Sequence, residues 1–205
     1  MLRRVLLAGL AMVSFSSMVH AGPVTTVPQE PAYDPIKHWE FDLETGALWS
    51  VGHNASPLNY VILPQMLTFK SPAVLQGKLW GGDLVLRNRF SLLIEPIIEG
   101  PESYFIGANG SGILEWWNPS RSFNLFFSAG GGLGLMDSKG YEVEGGQGQD
   151  LNFTYFGYAG ARVKVCERGS LALGLYYQHI SNTDLDDINP GIDSLGPMLS
   201  FGWHF

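Results

Sequence analysis

The sequence predicts an all-β fold, an eight-stranded antiparallel transmembrane β-barrel, on three observations. The chain is rich in glycine (26 of 205 residues) and in aromatic side chains (13%), yet only 15% of it is charged. Beyond residue 21 no apolar run reaches the roughly twenty residues that a membrane-spanning helix needs. About eight segments instead alternate in side-chain size between turn signals, and the last of them ends on Phe205.

The elements follow in chain order. Arg3 and Arg4 precede an almost unbroken apolar run, Val5 to Val19, and Val19-His20-Ala21 offers small residues before Gly22. This reads as a signal peptide, residues 1–21, with cleavage after Ala21 and export to the bacterial outer membrane. An N-terminal anchor competes, but the run is short for a span and ends at a good cleavage site. Cleavage removes two of twelve basic residues and none of nineteen acidic ones, leaving 10 − 19 = −9. That balance argues against nucleic acid as a partner, which needs a basic face. The single cysteine, Cys166, excludes an internal disulfide and reads as a small apolar strand residue beside the Glu167-Arg168-Gly169 turn.

Residues 22–38 carry Pro23, Pro28, Pro31 and Pro35 and read as a flexible periplasmic segment. The barrel domain covers 39–205, with candidate strands at 39–51, 58–69, 86–99, 103–117, 122–136, 151–165, 170–181 and 195–205. Each is long enough for a tilted transmembrane strand of roughly 9–11 residues. Segment 70–85 fits either a turn excursion or an extra strand.

The last two segments show the alternation best. Leu171, Leu173, Leu175 and Tyr177 share one parity, while Ala172, Gly174, Tyr176 and Gln178 share the other. Leu195, Leu199, Phe201, Trp203 and Phe205 alternate with Gly196, Met198, Ser200, Gly202 and His204. Successive strand side chains point to opposite faces, so each strand has one large apolar face and one small or polar face. A lipid-facing wall around a crowded lumen has that pattern; a soluble sandwich gives a similar one with the large residues inward. The aromatic terminal strand favours the membrane, since it looks like the signal read by the barrel-assembly machinery. Short links at 118–121 and 167–169 fall on the periplasmic side, and long polar links at 137–150 and 182–194 fall outside. The 70–85 link breaks this rule if it is periplasmic. About eight strands leave no aqueous channel, so a solute pore is a poor reading.

One polar constellation stands out. His179 and Ser181 are two apart on a strand and share a face, which permits a base–hydroxyl pair. Asn189-Pro190-Gly191 marks a turn that could return Asp193 beside His179, where a carboxylate would fix the imidazole. Both residues continue the apolar, lipid-facing parity at the outer rim, where polar groups are costly. From spacing alone a polar girdle pair is the simpler reading.

The block Tyr177-Gln178-His179-Ile180-Ser181-Asn182 through Asn189-Pro190-Gly191-Ile192-Asp193, ending Phe201-Gly202-Trp203-His204-Phe205, resembles the outer-membrane lipid A 3-O-deacylase (PagL-like) family. Weaker similarity covers 90–96 and the glycine-rich 129–134. The resemblance implies an eight-stranded barrel whose lipid-facing Ser-His-Glu triad hydrolyses the acyl ester at position 3 of lipid A. By it His179 is the base, Ser181 the nucleophile and Asp193 the carboxylate, one methylene shorter than the family's Glu. Asn182, Asn189 and Gly191 then fall near the oxyanion and substrate-binding positions. The substrate is lipid A, or lipopolysaccharide, and the chemistry needs no cofactor or metal. A homodimer stays open, and so does a non-catalytic structural or adhesive barrel of the same fold.

Other features read more plainly. Asp184, Asp186 and Asp187 form an acidic loop, solvated rather than calcium-binding. Gly130-Gly131-Gly132-Leu133-Gly134 lacks the context of a phosphate loop and suits close packing in a narrow lumen. Glu95, Glu115 and Arg162 are candidates to point into the lumen and pair there. His38, His53 and His204 have no metal-ligand spacing.

Overall fold

Alternating burial turns eight stretches of this chain into one closed antiparallel wall. The structure, a computed structural model, describes residues 33–52 and 58–205. The expected signal peptide, residues 22–32 and His53 lie outside the described residues.

The first span is β1 (Glu40–Gly46) and β2 (Leu48–Ser50). The second is β3 (Val61–Ile62), β4 (Gln65–Lys70) and β5 (Leu75–Leu79). Then come β6 (Gly82–Glu99), β7 (Tyr104–Trp117), β8 (Phe123–Met136), β9 (Leu151–Lys164), β10 (Gly169–Ser181) and β11 (Ile192–His204). Each span pairs with the next, and β1 returns to β11 from Glu40↔His204 to Gly46↔Met198, which closes the barrel.

Two candidate strands prove to be interrupted. The first breaks at Ala47, whose N–H bonds the Pro197 carbonyl at 3.4 Å. The second breaks at Leu63-Pro64, because Pro64 has no N–H for the ladder. Segment 70–85 is no rule-breaking loop. Lys70↔Arg89 and Leu75↔Leu86 both pair with β6, so 71–74 is a bulge within one long hairpin. The turn itself is only Trp80-Gly81, both with positive φ (50° and 77°), which suits the twist of a two-residue hairpin. The ordered body also begins before residue 39. Pro35–Lys37 forms a 3-10 turn whose Ile36 is buried against Val85 and Trp117. Arg121 ties this turn to the barrel through Asp34 (3.3 Å) and Asp83 (2.9 Å).

The expected parity holds. On β10, Leu173 and Leu175 are 62% and 58% exposed, while Tyr176, Gln178 and Ile180 are fully buried. On β11, Leu199, Phe201 and Trp203 face out, while Met198, Ser200 and His204 face in. Phe69, Phe90, Ile94, Ile106, Leu125, Phe127 and Leu133 continue the outer belt. So much contiguous apolar surface needs a hydrocarbon cover. We expect Leu173→Arg to destabilise the barrel by about 2–4 kcal/mol, the cost of a cation on the lipid face near mid-depth. Urea unfolding in lipid vesicles measures it, and an unchanged midpoint would contradict the assigned face.

The lumen has two zones. Towards the end bearing Glu40, four carboxylates (Glu40, Asp42, Glu44, Glu115) meet four cations (Lys70, Arg87, Arg89, Arg162). Opposite charges in equal number offset one another away from water. Glu95, Glu115 and Arg162 do point inward, but not at each other. Arg162 bonds Glu40 (2.8 Å) and Asp42 (2.7 Å), Glu115 accepts from the Trp117 indole, and Glu95 accepts from Gln178 (2.8 Å). Towards the other end Leu48, Ile62, Met66, Leu93, Phe105, Phe156 and Ile192 form an apolar core. Side chains fill the bore, as expected of eight strands. Gly132 has to be glycine, since a Cβ there would overlap the Ala108 carbonyl oxygen of β7. Cys166 differs from its expected place: it lies in the β9–β10 turn, exposed, with its N–H on the Gly169 carbonyl.

Candidate active site

β10 and β11 set the site through their register. Twelve consecutive pairs join them, ending at Gln178↔Ser194, His179↔Asp193 and Ile180↔Ile192. Directly opposed residues lie within side-chain reach, so the ladder itself delivers the carboxylate to the imidazole. His179 Nδ1 and Asp193 Oδ1 are 2.8 Å apart. A carboxylate accepts, so Nδ1 is the donor in this bond and Nε2 is the ring nitrogen it leaves unengaged. The shorter side chain of Asp193 therefore has no reach defect. Both side chains are partly exposed, at 17% and 23%, on the outer face near the rim.

Ser181 shares that face two residues on, opposite Phe153 of β9. Among the described residues its hydroxyl has no hydrogen-bond partner, so the Ser181–His179 contact is unmade in this state. Catalytic hydrogen bonds commonly tighten only when substrate arrives.

Two tyrosines complete the surroundings. Tyr155, opposite His179 on β9, stacks on the imidazole with centroids 4.5 Å apart and planes at 20°. Tyr177 donates its hydroxyl to Asp193 Oδ1 at 2.6 Å. The sequence alone singles out neither as part of the site. Tyr177 is legible there, since it sits two residues before His179 on the same parity. Tyr155 is visible only once the β9–β10 register is known.

The loop between β10 and β11 shapes the rim. Gly191 has φ +71°, and a Cβ there would lie 3.0 Å from His179 Cε1, so glycine meets both the turn and the ring. Asn182 is buried; its N–H bonds Asn189 Oδ1 (2.9 Å) and its side-chain amide bonds the Ile188 carbonyl (2.9 Å). Asn189 in turn donates to Asp184 (2.8 Å). The two asparagine side chains thus brace the loop. Asp186 of the acidic loop is engaged as well. Asp186 accepts from the Ile188 N–H and from the Tyr141 hydroxyl. That bond, with the charge of Asp186, holds the Tyr141 phenol above its ordinary range. Among the described residues no group of three or more His, Cys, Asp or Glu side chains is placed to hold a metal.

Comparison with known proteins adds the following. The family model of the lipid A 3-O-deacylase (PagL) matches residues 67–202, about two thirds of the chain. No curated protein matches. The crystal structure of the outer membrane enzyme PagL superposes with a TM-score of 0.56 at 18% identity, covering 78% of this chain and 97% of that one. OprG from Pseudomonas aeruginosa aligns at 11% identity over 84% of this chain and 99% of that one, with a TM-score of 0.36. Ail from Yersinia pestis aligns at 16% over 81% and 99%, with a TM-score of 0.32. On the extent of the family match, the chain belongs to the lipid A 3-O-deacylase (PagL) family.

Proposed function

We propose that this protein is an outer-membrane esterase that hydrolyses the 3-O acyl ester of lipid A, with Ser181 as nucleophile, His179 as base and Asp193 as the orienting carboxylate. The observation that carries the reading is the 2.8 Å bond between His179 Nδ1 and Asp193 Oδ1 on the lipid-facing wall, with a free hydroxyl two residues away. A soluble esterase would enclose such a group; here it faces the acyl layer, where the scissile ester of a membrane lipid lies.

In the first step His179 Nε2 takes the Ser181 proton while Oγ adds to the ester carbonyl carbon. The tetrahedral intermediate collapses, the sugar oxygen leaves with the proton from the imidazolium, and Ser181 is acylated. Water, deprotonated by the same nitrogen, then releases the fatty acid and restores Ser181. Asp193 stays ionised throughout, fixing the tautomer and stabilising the imidazolium. The loop braced by Asn182 and Asn189 holds Gly191 against the ring and keeps the rim in shape for the developing oxyanion. Residues 1–21 serve as the signal peptide that sends the chain to the outer membrane, and no metal or cofactor takes part.

The test is release of free fatty acid from purified lipopolysaccharide in detergent micelles. The parent is expected to release the 3-O chain. Asp193→Ala should keep measurable activity, since nucleophile and base remain, but lose roughly ten-thousand-fold in kcat for want of the correct tautomer. Asp193→Glu should bring no gain, because the carboxylate already reaches. Should the parent release nothing from any lipid A tested, a non-catalytic barrel would be the better account.

A further inference from the structure

We infer that Tyr177 is a positioning residue for the His179–Asp193 pair, an inference that rests on the proposed function of that site. Its hydroxyl lies 2.6 Å from Asp193 Oδ1, the same oxygen that accepts from His179 Nδ1 at 2.8 Å. That oxygen therefore receives two donors, one from the residue directly opposite and one from its neighbour two places along β10.

A carboxylate at the edge of an apolar belt faces two problems. It loses water on the lipid side, and a short side chain near the end of a strand keeps rotamer freedom on the solvent side. A second, charge-assisted donor answers both, replacing a lost water and fixing the carboxylate rotamer. Tyr177 suits this place. Its ring belongs to the apolar face that continues Leu171, Leu173 and Leu175, and its hydroxyl reaches the polar rim. Tyr155 closes the other side of the imidazole by stacking, and its ring lies 6.2 Å from that of Tyr177. The imidazole is thus held by a carboxylate that is itself held, and Tyr177 acts through Asp193 without touching the ester.

The variant Tyr177→Phe keeps the ring and removes only the hydroxyl. It should fold normally, as judged by heat-modifiable migration, and keep its KM for lipopolysaccharide while kcat falls about 10- to 100-fold, the worth of a hydrogen bond to a charged group. Combined with Asp193→Ala it should cost nothing further, because a residue that acts through Asp193 has no effect once Asp193 is gone. A second measurement is independent of turnover. In ¹⁵N NMR of the micellar protein, the His179 ring nitrogens should show a fixed Nδ1–H tautomer, and Tyr177→Phe should shift them towards the averaged position. If the parent proves inactive, the proposed function fails and the NMR comparison still decides the role of Tyr177. Unchanged kcat and ring shifts in Tyr177→Phe, or a penalty that multiplies with that of Asp193→Ala, would overturn the inference.

Discussion

Replacing Ser181 with alanine is expected to reduce fatty-acid release by roughly a millionfold, to background, while leaving the barrel folded. Ser181 is on the outer face and bonds no other side chain among the described residues, so its hydroxyl contributes nothing to the wall. Its loss removes the hydroxyl that strand parity places two residues from His179 on the same face, the nucleophile of the proposed mechanism. His179→Ala should fall as far, because a serine hydroxyl without a base is not a nucleophile at neutral pH. The double variant should be no worse than either single one, since members of a catalytic unit fail together. Fatty-acid release and gel migration before and after heating measure the two halves of this expectation. Parent-like release from Ser181→Ala would remove Ser181 from the mechanism.

The largest expected effect on stability falls at the other end of the barrel. Arg162 is buried in the lumen, where it bonds Glu40 (2.8 Å), Asp42 (2.7 Å) and Ser170 (2.7 Å). Arg162→Ala leaves four carboxylates facing three cations in the same low-dielectric zone. Lys70 still contacts Glu40 and Asp42, and Arg87 still contacts Glu40, so the deficit is shared rather than confined to one group. Removing one partner of a buried ion pair costs about 3–5 kcal/mol, mostly the penalty of the charge left behind. Arg162→Lys should recover only part, since a single ammonium cannot reproduce the fork that spans both acids. The urea midpoint in lipid vesicles reports both, and an Arg162→Ala protein as stable as the parent would show that the network contributes little.

Much of this architecture is legible in the sequence because strand parity is a local property. The alternation in 171–181 assigns lipid and lumen faces without knowledge of any neighbour, and the same parity places His179 and Ser181 on the outer rim. What stays hidden depends on register. The breaks at Ala47 and Leu63-Pro64 interrupt stretches whose apolar pattern continues across them. The 70–85 segment becomes a hairpin only when its pairing with β6 is known. The inward direction of Arg162 follows from parity, but its partners Glu40 and Asp42 lie some 120 residues away. The candidate site divides in the same way. His179, Ser181 and Asp193 come from spacing and resemblance, while Tyr155 emerges only from the β9–β10 ladder. Asn182 and Asn189, which the resemblance assigns to the oxyanion and substrate-binding positions, have their side chains bonded within the loop, a detail that spacing cannot convey.

The most direct test of the central claim is mass spectrometry of lipid A extracted from outer-membrane preparations of cells with and without this protein. Lipid A from cells that produce it should lose the mass of one ester-linked acyl chain, and a fragment spectrum should place the loss at position 3. Cells producing Ser181→Ala should give the unmodified species. Identical lipid A spectra with and without well-folded, membrane-inserted protein would contradict the account.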